Sequence, residues 1–184
     1  MKAAVLLAAL LTASPAAAAH WNVDAARSKL GFTVQWAGQP FVGTFKSWKA
    51  NIAFDPADLA HSSADVTIDV ASEASGDDET DDGVKGAQGF DATRFATARF
   101  VTTAIARKSG NDYVAQAKLT IRGVTKAVLL PFTLTIAGNT AHMLGVAQVS
   151  RMDFGLGQGG DFAKPNPVAY EVTVKVDLTA TKAP

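Results

Sequence analysis

The stretch that decides the fold is Val128-Leu129-Leu130-Pro131-Phe132-Thr133-Leu134-Thr135-Ile136. Val128, Leu130, Phe132, Leu134 and Ile136 recur at every second position, the repeat of a β-strand that turns one face to a core. Pro131 falls in the opposite phase and has no N–H to donate, so it marks a strand edge or a bulge. Turn sequences bracket the run: Arg122-Gly123-Val124-Thr125-Lys126 before it and Ala137-Gly138-Asn139-Thr140 after it.

Outward from this run the pattern repeats. A strand over 113–121 follows the turn Ser109-Gly110-Asn111-Asp112, and another lies near 141–151. Phe100, Thr102 and Ala104 alternate with Val101, Thr103 and Ile105, which predicts a strand apolar on both faces. Leu30, Phe32, Val34 and Trp36 share the face of a first strand. Phe41, Gly43 and Phe45 begin a second, whose apolar phase then shifts to Trp48, Ile52 and Phe54, as a bulge would require. Val66, Ile68 and Val70 make a third, and Tyr170, Val172, Val174, Val176 and Leu178 close the series. Residues 72–98 break the rhythm and predict a loop with one or two short helical turns. Eight antiparallel strands in chain order hide their edges most simply by closing into a barrel, just wide enough for side chains or one small ligand.

Composition narrows the function. The 184 residues are 48% apolar, carry 17 Lys and Arg against 17 Asp and Glu, and include no cysteine. The charge balance offers no basic surplus to nucleic acid, and the missing thiols exclude disulfides and thiolate chemistry. Gly155-Leu156-Gly157-Gln158-Gly159-Gly160 matches G-x-G-x-x-G, but Pro165 and Pro167 oppose the helix a dinucleotide site needs. Asp77, Asp78, Glu79, Asp81 and Asp82 lack the glycine and glutamate positions of a calcium loop and read as a solvated surface loop. Such a loop is not expected to bury a carboxylate and raise its pKa. The three histidines have no metal-ligand spacing, and no acid–nucleophile pair is recognisable, so neither a metal, a cofactor nor catalysis is expected.

The first nineteen residues read as a signal peptide. Lys2 precedes nine apolar residues, 3–11, and Ala17-Ala18-Ala19 supplies small residues for cleavage. Nine residues rise only about 14 Å as a helix, too short to remain as a membrane anchor. Residues 20–184 then form one exported, periplasmic domain with a charge of −1 after loss of Lys2.

The ordered blocks resemble a known family. Trp21-Asn22-Val23-Asp24, Gly43-Thr44-Phe45, Leu119-Thr120-Ile121-Arg122-Gly123-Val124-Thr125-Lys126 and Arg151-Met152-Asp153-Phe154-Gly155 resemble the YceI-like periplasmic lipid-binding proteins over nearly all of 20–184. The resemblance implies an all-β, eight-stranded antiparallel lipocalin-like barrel. It also implies a long-chain amphiphile as ligand: a polyisoprenoid, an isoprenoid quinone or a fatty amide. The chain departs from the family at Asp81-Asp82-Gly83-Val84 (usually Asp-x-His-Leu), at Gly89 (usually Phe) and at Ala96 (usually Pro). A carrier of this class is the leading reading; a solid-cored structural or stress-related module and a lipid- or quinone-modifying enzyme are the alternatives.

Inward strand rows then nominate ligand contacts: Phe32, Val34, Phe45, Leu119, Ile121, Phe132 and Leu134 for the tail. Arg122, Lys126 and Arg151 are candidates for a phosphate head. The expected partners are an amphiphilic lipid and, in a homodimer, a second copy of the chain. On pattern alone a solid core and a cavity are equally compatible.

Overall fold

The computed structural model describes residues 18–184, so nearly all of the expected signal peptide lies outside the described residues. Strands β1 (His20–Val23), β4 (Trp48–Ala53), β5 (Ser63–Asp69), β7 (Thr97–Ser109), β8 (Asp112–Ile121), β9 (Val124–Ala137), β10 (Thr140–Ser150) and β11 (Val168–Lys182) form a closed antiparallel ring. Strands β2 (Lys29–Trp36), β3 (Gln39–Phe45) and β6 (Glu73–Ala74) extend the wall above β1, β4 and β5. Eight strand lines therefore follow one another in chain order, as the alternation predicts.

The breaks explain the phase changes. Asp24 caps a 3-10 turn, Ala25–Arg27, by accepting from the backbone N–H of Ala26 and Arg27, and this turn separates β1 from β2. Both strands pair with the long β11. The shift expected after Phe45 is a break at Lys46–Ser47, where Ser72 receives both N–H groups at 3.1 and 3.0 Å.

The strand around Phe100 carries apolar residues on both faces, but Val101, Thr103 and Ala104 do not face the interior. A register shift between Thr102 and Ala104 moves the inward row from Ala98, Phe100 and Thr102 to Ile105. Tyr170 is not inward either, because β11 shifts register between Val168 and Val172, and the Tyr170 hydroxyl donates to the Ala163 carbonyl. Pro131 sits where the β9–β10 ladder stops after Phe132↔Gly145, a place where a missing N–H breaks no bond to β10.

Strand β1 closes the ring by pairing Trp21 with Lys182 and Ile52. One barrel end is packed solid by Trp21, Phe54, Tyr113 and Leu134, with the Trp21 indole donating to the Phe54 carbonyl at 3.0 Å. Over the other end lie 86–96 and 151–168, together with helix α1 (Asp78–Lys85). The acidic run is thus not a loop. Asp77 caps α1 through Thr80 N–H, and Asp78, Glu79 and Asp81 occupy the first turn, where the helix dipole favours negative charge.

Candidate ligand chamber

Between the packed end and the lid lies a cavity of about 650 Å³. Its volume follows from small inward side chains. Strand β8 turns Tyr113, Ala115, Ala117, Leu119 and Ile121 inward, as β7 does Ala98 and β10 does Ala141 and Ala147. Alanine at such positions leaves space that leucine would fill, so the barrel wall is continuous while its centre is empty. The sequence showed these alanines as members of apolar rows but gave no sign that they border one void.

Phe32, Val34, Phe45, Leu119, Ile121, Phe132 and Leu134 all line the cavity. Along one wall the rings of Phe90, Phe45, Phe32, Phe41, Trp36 and Phe162 follow one another at centroid spacings of 5.7, 5.9, 6.0, 5.8 and 6.3 Å, running from the 86–96 segment of the lid to its 151–168 segment. Polar lining groups are few, among them Ser63, Thr102, Gln88 and Arg151.

The cationic candidates are placed differently from a phosphate clamp. Arg151 is buried, and its guanidinium donates to the carbonyls of Leu156, Gly157, Phe162, Lys164, Val168 and Ala169 at 2.6–3.2 Å. Burial lowers its pKa from the ordinary arginine value, partly offset by Tyr170, whose ring lies 5.3 Å from the guanidinium carbon. A side chain at Gly157, which has φ +65°, would come within 2.5 Å of that guanidinium, so the close approach depends on glycine. Arg151 therefore builds the 151–168 loop and has no spare donors for a head group. Arg122 lies outside the cavity lining. It donates to the Gly89 carbonyl at 2.7 Å and lies 4.0 Å from buried Asp91, pinning 86–95 to the rim. Lys126 is exposed, opposite Leu119 on β9.

Sequence reasoning missed three buried carboxyls, Asp81, Asp91 and Glu73, and among the described residues the last of them alone lacks a partner. It is 1% exposed, and neither carboxyl oxygen has a hydrogen-bond partner among the described residues. Burial first, then the Asp81 charge, push its pKa up to about 7, with Lys85 opposing. Its only signal was one acidic residue inside the irregular stretch, just before the acidic run, and nothing local says that β6 tucks it under a helix.

This carboxyl makes stability depend on pH. Its ordinary pKa is 4.5, so between 4.5 and about 7 the folded chain holds a proton that the unfolded chain releases. The contribution is therefore complete below 4.5 and lost as pH rises through about 7, up to about 3 kcal/mol. Chemical denaturation of wild type and Glu73→Gln should show the difference in stability changing by that amount between acidic and mildly alkaline buffer. A gap independent of pH would contradict the burial.

A closed up-and-down barrel around a hydrocarbon-lined chamber, shut at one end and lidded at the other, defines a lipocalin-like binding fold. Residues 21–180 match the YceI-like domain, and the chain belongs to the YceI-like family. It is 40% identical to BcnA of Burkholderia cenocepacia, with a TM-score of 0.83 over 87% of this chain and all of that one. A UPF0312 protein of Photorhabdus laumondii is 34% identical over 126 residues, which is 67% of this chain and 65% of that relative. A polyisoprenoid-binding domain from Saccharophagus degradans has the same fold, with a TM-score of 0.70 at 16% identity over 90% of this chain and 99% of that one.

Proposed function

We propose that this protein is a periplasmic carrier that holds one long-chain amphiphile, its tail in the barrel and its head under the lid. The observation that carries this reading is the chamber itself, about 650 Å³ bounded almost wholly by hydrocarbon. At about 30 Å³ per water-sized group, that volume suits a chain of roughly twenty carbons. Each isoprene unit moved out of water contributes roughly 3–4 kcal/mol before ordering costs, so several units bind without any charged clamp. The family and the polyisoprenoid-binding domain that shares its fold support binding rather than catalysis. Polyisoprenoids, isoprenoid quinones and fatty amides with chains of about twenty carbons all meet the volume and polarity. Pairing of two copies would draw on Leu129, Leu144 and Val146, which are exposed on the outer face of β9 and β10.

All three tryptophans, Trp21, Trp36 and Trp48, line the chamber, so their fluorescence reports occupancy directly. Protein purified from its own periplasm should release a homogeneous lipid on organic extraction, and native mass spectrometry should show one copy per chain. An empty protein whose tryptophan emission is unmoved by hydrophobic chains would favour the solid-module alternative.

A further inference from the structure

Glu73 pairs across the β3–β6 ladder with Phe45, so both side chains project to the chamber side of the wall. Phe45 lines the chamber; Glu73 does not, and its carboxyl lies beside the Phe32 ring. The carboxyl and the tip of the Phe32 ring meet over Gly43. A side chain there would come within 2.5 Å of Cε1 and Cζ of Phe32 and would also strike Glu73 Oε1. Helix α1 covers the carboxyl from the other side, presenting Asp81 and Lys85. Asp81 is already engaged, accepting from the N–H and hydroxyl of Ser75 at 2.8 and 2.6 Å.

A buried carboxyl with two empty acceptor oxygens is costly unless something supplies a donor. Phe32 is held by apolar contacts alone, so its ring can turn aside without breaking a hydrogen bond. We propose that Glu73 is the head-group acceptor of the chamber, taking a hydrogen bond from a neutral hydroxyl or primary amide on the chain's polar end. The charge of Asp81 alongside disfavours an anionic head at the same spot. This assignment rests on the chamber holding a long chain, and it adds which head the chamber prefers.

The test compares geranylgeraniol with its methyl ether, identical chains with and without a donor, by tryptophan titration at about pH 8.5, where the carboxylate carries its charge. A hydrogen bond to a charged acceptor corresponds to roughly ten- to hundred-fold in affinity. Wild type should therefore bind the alcohol at least about ten-fold more tightly than the ether. Glu73→Leu should bind both alike. Equal binding of alcohol and ether by wild type, or a preference that survives in Glu73→Leu, overturns the assignment while leaving the chain-binding reading intact. The wild-type comparison holds even if the leucine variant folds poorly. If neither probe binds wild type, the chain-binding reading itself fails.

Discussion

Leu119→Asp is expected to abolish lipid retention. Leu119 is 9% exposed on β8, lines the chamber and stands between Phe100 and Lys126 on the neighbouring strands. A carboxylate there would project into a hydrocarbon surface, where an unpaired charge is far more costly than any contact it replaces. A bound tail would have to share its space with the water that charge attracts. Retention should fall by roughly a hundred-fold or more, with a loss of about 3–4 kcal/mol in stability from the lost leucine and the new polar group. Lys118→Asp is the control: one residue away, exposed and outward, it should leave retention unchanged. Co-purified lipid by mass spectrometry, with circular dichroism to show folding, checks both. A folded Leu119→Asp variant that retains its lipid would remove this row from the binding surface.

Arg151→Met should produce the largest loss of stability at the mouth. Methionine keeps much of the aliphatic stem but strands six carbonyls that one guanidinium now satisfies. Buried acceptors left without donors cost about 1–3 kcal/mol each, and water entering the loop recovers part of that, so a net loss of about 3–4 kcal/mol is expected. Hydrogen exchange should localise the effect to 151–168 while the β8 and β9 amides stay protected. If the loop stays as protected as in wild type, Arg151 is not what holds it. Lipid release should also quicken, because Phe162, which ends the aromatic row, hangs on this loop.

Much of the barrel is legible in the sequence because sheet burial has a period of two. Val128 to Ile136 faces one way whatever its partners are. The seven tail candidates reach the chamber for that reason: each was read from strand parity, a local property. Parity fails where a register shift intervenes, as at Thr102/Ala104 and at Val168/Val172, because a bulge changes the inward row without leaving a reliable residue signature. Strand β1 was visible only through the family motif. Four residues are too few to show a period, and their place depends on β11 arriving from the far end of the chain.

The charged residues were less legible. Arg151 and Arg122 look like free cations in sequence because their partners are backbone carbonyls, which every residue has and no motif records. Glu73 looks like one more surface acid beside an acidic stretch. By itself the sequence determined the strand rows, the antiparallel order and the family, all of which follow from local alternation and contiguous motifs. The tertiary structure alone decided that alanines on β7, β8 and β10 face a common void, that one arginine is spent on holding a loop, and that one glutamate is buried without a donor. Those are properties of what a side chain meets across the barrel, and only chain closure brings the two sides together.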